Sequence, residues 1–245
     1  MIEIKDLTKS FGDLLVWERV NFTINDGETT AVIGRSGCGK SVLLKHLNAL
    51  LYPDEGEVLI DEENVFDLSY TALRKVRQRF GILFQGGALF DSISTFENVA
   101  FPLRYFTEQS EQEIEHNVHE ALSMVNLEGV GEKSTSELSG GMRKRVGLAR
   151  AIILQPDYLL YDEPTSGLDP KTSDEINELI VTMADNLDIT SIVITHDMHS
   201  VLEVSDKVAF LDEQKLSWFG KTEDMKHSDN QNLLDFIRAS EYQIN

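Results

Sequence analysis

One stretch limits the folds open to this chain more than any other. Gly34-Arg35-Ser36-Gly37-Cys38-Gly39-Lys40-Ser41 fits G-x-x-x-x-G-K-[ST], between an apolar run, Thr29 to Ile33, and a helical pattern that begins at Ser41. Strand, glycine-rich loop and helix in that order predict backbone N–H groups turned inward around phosphate oxygens, with the positive end of a helix behind them. Lys40 then supplies charge to the phosphates, and Ser41 a hydroxyl for Mg²⁺.

The rest of the chain repeats the alternation. Apolar or alternating runs at Ile2 to Leu7, Val20 to Ile24, Val58 to Ile60, Phe80 to Phe84, Tyr158 to Tyr161, Ser191 to Thr195 and Val208 to Leu211 read as strands. Helical patterns lie between several of them, including Ser41 to Leu51, with Leu43, Leu47 and Leu50 on one face, and Lys171 to Leu187. This predicts an α/β fold with a largely parallel sheet. Asn25-Asp26-Gly27 separates two strand-like runs as a hairpin turn would, so an antiparallel β portion is expected at the N-terminal edge. Between Gly86 and Ala151 the strand signal stops, and Ser110-Glu111-Gln112-Glu113 has the form of a capping box ahead of Ile114, Val118, Ala121, Leu122 and Val125. The expected division is an α/β core over residues 1–85 and 152–220, an inserted helical subdomain over 86–151, and a C-terminal extension over 221–245.

Four strand ends gather candidate chemistry. Asp162-Glu163 follows the apolar run Tyr158 to Tyr161, where two carboxylates are costly as core residues. In phosphate-loop enzymes the first of such a pair serves the Mg²⁺ shell, so Asp162 takes that role and Glu163 is placed to polarise an attacking water. Gln85 and His196 close two further runs. With Gly34 and Asp162 they form a set that a parallel sheet brings to its carboxyl edge, where ligands bind in open α/β folds. A second glycine-rich turn, Leu138-Ser139-Gly140-Gly141-Met142, opens another helix and suits an anion. Locally it reads equally as a Ser-capped helix; as a half-site it makes sense if it completes the nucleotide site of a second molecule.

Composition removes some partners. Lys and Arg number 22 against 42 Asp and Glu, a net charge of −20 that repels nucleic acid and anionic membrane surfaces. The single cysteine, Cys38, fits a reducing compartment. No run approaches the roughly 20 apolar residues of a membrane span, so a transmembrane pathway is expected to belong to another chain. The start, MIEIKDLTKSFG, lacks the pattern of a signal peptide, which predicts a protein that is not exported.

Taken together, these motifs resemble those of the ABC transporter ATPases over nearly the whole length. Leu138 to Met142 looks like the family signature, Gln85 like its Q-loop, Asp162 and Glu163 like Walker B and the catalytic base, Ser166-Gly167-Leu168-Asp169 like the D-loop, and His196 like the switch histidine. Phe11 is placed like the aromatic that stacks on adenine. The resemblance implies an ATP-hydrolysing subunit with ATP and Mg²⁺ as cofactors. Nucleotide would be held by Phe11, the segment Gly34, Arg35, Ser36, Gly37, Cys38, Gly39, Lys40, Ser41 and Val42, and by Ser139, Gly140, Gly141 and Asp169. Ser41, Gln85 and Asp162 would surround the metal, and Glu163, His196 and Gln85 would serve hydrolysis. It also implies a head-to-tail homodimer sandwiching two ATP molecules, docked on integral membrane permease subunits at the cytoplasmic face of the inner membrane. Two positions depart from the family pattern: Met142 stands where glutamine is usual, and Val42 where a second hydroxyl residue is frequent.

Within the family, Leu83 to Leu103, Glu137 to Arg145 and Gly34 to His46 are most similar to ATPases of Mla/Mce-type lipid transporters. That implies phospholipid or another lipid as cargo, an Mce-type lipid-binding subunit as a further partner, and a docking surface after Gln85 offered by Leu89, Phe90, Ile93 and Phe96, four residues that read equally as packing inside the helical subdomain. The remaining readings are an ABC ATPase for a different cargo and a non-transport ABC ATPase. Against the latter stand the acidic charge, the lack of a long coiled-coil insertion and the single nucleotide domain.

Overall fold

A computed structural model describes residues 1–241. Two sheets carry the fold. The first is antiparallel and built from β1 (Ile2–Phe11), β2 (Leu14–Ile24), β4 (Glu55–Ile60) and β5 (Glu63–Asn64), in the order β2-β1-β4-β5. The second contains β3 (Thr29–Gly34), β6 (Phe80–Leu83), β7 (Tyr158–Asp162), β8 (Thr190–Ile194), β9 (Lys207–Asp212) and β10 (Lys215–Lys221), in the order β10-β9-β3-β8-β7-β6. Its pairs are parallel except β9 with β10. Burial explains the difference between the sheets: β3 and β8 are buried along their whole length, as strands covered on both faces must be, whereas β1 and β2 alternate.

The antiparallel edge is where it was expected, but Asn25 to Gly27 is not a hairpin. β2 and β3 lie in different sheets, because both edges of β3 are taken by parallel neighbours, β8 and β9. The partner of β2 is β1, joined through Gly12-Asp13, with Phe11 opposite Leu14. The two sheets are tied where Glu18 N donates to the Gln214 carbonyl at 2.8 Å.

Among the described residues eight α-helices connect or cover the strands: α1 (Lys40–Leu47), α2 (Tyr70–Gln78), α3 (Thr95–Phe106), α4 (Glu111–Met124), α5 (Gly140–Ile152), α6 (Pro170–Leu187), α7 (Met198–Val204) and α8 (Gln231–Glu241). The Ser110–Glu113 capping box is formed, and Ile114, Val118, Ala121, Leu122 and Val125 are all buried. The first helix is shorter than its pattern suggests. Ala49 adopts a left-handed backbone, φ +52°, and Arg77 takes the carbonyls of Asn48 and Ala49 at 3.1 and 2.7 Å, so the chain turns away and leaves Leu50 57% exposed. Among the described residues no helix is long and apolar enough to cross a membrane.

Three apolar clusters hold the layers together. One, with Ile2, Trp17, Leu43 and Leu160, fills the space between the sheets around α1. Another lies on the opposite sheet face, where Leu103, Val118 and Val146 of the helical region join Tyr161, Ile176 and Val193 without a break. The third packs Ala31 and Ile33 of β3 and Val208 and Phe210 of β9 under α7 and α8, while Val32 and Ala209 face the other way, as the period of two requires. Leu233 and Ile237 thereby dock the C-terminal helix onto its own chain. Residues 242–245 of the expected extension lie outside the described residues. Because Leu233 is fully buried, Leu233→Ala should lower unfolding free energy by about 2–5 kcal/mol in urea titrations, through lost transfer energy and the cavity it leaves.

The apolar residues after Gln85 divide. Leu89 and Phe96 pack against the helical core and Ile93 is half-buried, whereas Phe90 is exposed beside Phe101 at 5.0 Å between ring centroids. The open aromatic surface is therefore formed by Phe84, Phe90, Phe101, Tyr105 and Phe106, so that of the four residues named from the sequence only Phe90 belongs to it.

Candidate active site

The parallel strands β3, β8, β7 and β6 end side by side, and the polar residues that follow them open into one cavity of about 790 Å³. Gly34 to Gly37 and Gly39 to Val42 line it from one side, with Gln85, Asp162, Glu163 and His196 across from them. The loop is held by its own geometry. Gly39 sits at φ +94°, and a Cβ there would lie 2.6 Å from Trp17 Nε1, so only glycine fits between the loop and the first sheet. Trp17 Nε1 donates to the Cys38 carbonyl at 3.0 Å. Lys40 Nζ, almost buried, donates to the carbonyls of Gly34 and Arg35 at 2.8 and 3.1 Å, closing the loop around its cation.

Ser41 Oγ donates to Asp162 Oδ1 at 3.1 Å. Burial raises the Asp162 carboxyl above its ordinary range, which Ser41 only partly offsets. A half-buried carboxylate beside a hydroxyl is a hard-oxygen pair that gains from a divalent cation. Glu163 takes a left-handed backbone, φ +51°, a conformation that costs a non-glycine residue about 1–2 kcal/mol and persists only where neighbours enforce it. Here its N–H donates to the Ile194 carbonyl at 2.8 Å, and its own carbonyl accepts from Ser166 N at 3.2 Å and Lys144 Nζ at 2.8 Å. The side chain is thereby turned so that Oε2 lies 2.8 Å from His196 Nδ1. Gln85 Nε2 donates to Ser166 Oγ at 3.3 Å.

Other residues singled out in the sequence lie elsewhere. Phe11 is 48% exposed at the end of β1, with Lys9 Nζ 5.4 Å from its ring centroid, and is not part of the cavity wall. Cys38 points away into the core between the sheets, where burial pushes its thiol up. Ser139 is exposed and caps α5, accepting from Met142 N at 3.2 Å. Asp169 caps α6, accepting from Thr172 N at 3.1 Å.

Two features of the site were not anticipated. Asp235, Phe236, Ala239 and Ser240 of α8 line the same cavity, and α8 is linked to the loop through Asp212, which accepts from Asn232 at 2.9 Å and lies 4.0 Å from Arg35 Nε. Nothing local in the sequence of α8 signals this contact. Lys144 is 4% exposed, and burial lowers its ammonium to about 8. Its signal was legible: Gly141, Lys144 and Leu148 fall on the buried face of α5, so a lysine occupies a core position.

The model of the ABC transporter family matches residues 17–166. The chain is 43% identical over 238 residues to the probable ribonucleotide transport ATP-binding protein mkl of Mycobacterium leprae, an alignment covering 97% of this chain and 69% of that protein. It is 41% identical over 239 residues to the intermembrane phospholipid transport system ATP-binding protein MlaF of Haemophilus influenzae, covering 98% of this chain and 90% of that one. Its structure is similar to the dimeric post-hydrolysis ATP-binding cassette MJ0796 bound to ADP and Pi, with TM-score 0.82, 32% identity, and coverage of 90% of this chain and 98% of that chain.

Proposed function

The chain belongs to the ABC transporter family as an ATPase, and on that premise we propose that two copies close on ATP to drive phospholipid, or a related lipid, through a separate permease. The observation that carries the catalytic part is the cavity in which the phosphate loop, Asp162, Glu163 and His196 meet. In this reading Lys40 and the loop N–H groups bind the phosphates. Ser41, Asp162 and Gln85 would hold Mg²⁺, which would supply positive charge to the phosphates there. Glu163 receives the proton of the attacking water, and His196, 2.8 Å away, keeps its carboxylate turned toward the cavity. Phe11 takes the adenine.

Ser139, Gly140, Gly141 and Asp169 lie outside this cavity. Exposed Ser139 at the start of α5 is read as the anion site offered to a second copy's nucleotide. The dimeric structures of MJ0796 support an assembly of two copies. Residues 86–151 are read as the subdomain that brings this signature to the partner. The exposed aromatics Phe84, Phe90, Phe101 and Phe106, in a groove between α3 and the β6 edge, are read as the permease dock at the cytoplasmic face of the inner membrane.

Cargo rests on the likeness to MlaF across 98% of this chain, while the name of mkl indicates ribonucleotide for that protein. Tagged Glu163→Gln chain purified from detergent-solubilised membranes should bring down an integral permease and a membrane-anchored, lipid-binding Mce-type subunit, identified by mass spectrometry. A permease without a lipid-binding subunit would overturn the lipid reading and leave the motor. Phe101→Asp, on the aromatic groove, is expected to lose the permease while the isolated chain hydrolyses ATP at its original rate. Retained permease would place the dock elsewhere.

A further inference from the structure

We propose that Lys144 is a positioning residue for ATP hydrolysis: its ammonium, reaching from α5, fixes the backbone of Glu163 and ties that carboxylate to the helix that starts at Ser139. One hydrogen bond and two close approaches on one end of α5 define the link. A Cβ on Gly140 would lie 3.4 Å from Leu168 Cδ2, a Cβ on Gly141 would lie 2.5 Å from Thr172 Cγ2, and Lys144 Nζ donates to the Glu163 carbonyl at 2.8 Å. The segment they touch runs from the cavity to the first turn of α6. The two glycines thus bring α5 close to the side chains of Leu168 and Thr172, and the buried lysine alone reaches the backbone of Glu163.

A lysine is an expensive way to fill that position, since an apolar side chain of similar length would occupy it without desolvating a charge. What the ammonium provides is a charge-assisted donor to a carbonyl whose other donor is the Ser166 N–H at 3.2 Å. With Glu163 N held by Ile194, the peptide is fixed on both sides in its left-handed conformation. Loss of the ammonium lets that residue relax and moves a carboxylate whose Oε2 is now 2.8 Å from His196. Lys144 is not part of the cavity wall, so its effect falls on turnover and not on phosphate binding.

The consequence across the dimer rests on the reading that Ser139 meets a second copy's nucleotide. Lys144 then joins two sites, because the helix that senses one nucleotide carries the contact that sets the carboxylate acting on the other. Phosphate bound at Ser139 favours the ordered Glu163 conformation in the same subunit, which makes turnover cooperative in ATP.

The test compares Lys144→Met, which keeps length and removes the donor, with Lys144→Arg, which keeps a cationic donor, in the chain of 245 residues. Steady-state hydrolysis and binding of a fluorescent ATP analogue are measured for each. Lys144→Met should lower kcat about 10–100-fold, the scale of a small misplacement of a reacting group, with nucleotide affinity within about threefold of the original. Its Hill coefficient for ATP should fall toward one, and Lys144→Arg should recover most of the kcat. An unchanged kcat in Lys144→Met, a parallel loss of nucleotide affinity, or an arginine variant no better than methionine would each overturn the proposal. The two-copy reading is judged separately: if Glu163→Gln chain stays monomeric on ATP that reading fails, whereas a selective kcat loss in Lys144→Met would still establish the positioning role.

Discussion

Glu163→Gln is expected to lower ATP turnover by about 10²–10⁴-fold, the usual contribution of a positioned general base, while nucleotide affinity stays close to its original value. The substitution keeps the shape of the side chain and its bond to His196, and takes away only the capacity to accept a proton. The backbone that enforces the left-handed conformation of Glu163 is untouched, since it is held by Ile194, Ser166 and Lys144. Binding survives because the phosphate loop and Lys40 do not depend on that carboxylate. Steady-state phosphate release separates the two effects from a titration with labelled nucleotide. Turnover within a few-fold of the original would mean that another group activates the water.

Lys40→Met should do the opposite and act first on binding. Lys40 is almost buried, and its ammonium meets two backbone carbonyls, a setting that leaves its full charge for an anion. A charge-assisted hydrogen bond is worth about 1.5–3 kcal/mol, so ATP affinity should fall by about 10–10²-fold, and turnover at low ATP with it. Methionine fills a similar volume, so the packing of Leu43 and Leu47 under α1 should survive and the thermal midpoint should move little. A fluorescent-nucleotide titration reads the loss. Unchanged affinity would remove Lys40 from the phosphate site and with it the reading of the loop.

Legibility from sequence followed the range of the interactions. The phosphate loop was readable because its glycines, cation and hydroxyl are bound to one local geometry, a strand running into a helix. Asp162, Glu163, Gln85 and His196 were readable as strand ends, since a parallel sheet with β3, β8, β7 and β6 as neighbours leaves them at one edge. What failed depended on partners far along the chain. Asn25 to Gly27 has hairpin chemistry, yet β3 had already both edges filled. β10 escaped notice because its turn uses Glu213 and Gln214, both at positive φ, where glycine or asparagine would have announced a hairpin. The place of α8 on the cavity wall is set by Leu233 and Ile237 entering a core made mostly by β3, β9 and α7. Lys144 could have been found by asking why a charge sits on the buried face of α5.

ATP is expected to bring two copies of this chain together. The direct measurement is the molar mass in solution of the Glu163→Gln chain, by light scattering after size exclusion, with Mg²⁺ and ATP and again with Mg²⁺ and ADP. A mass near twice 27.6 kDa is expected with ATP and near 27.6 kDa with ADP. A mass near 27.6 kDa with both nucleotides, under conditions where the chain binds ATP, would rule out the ATP-driven pair.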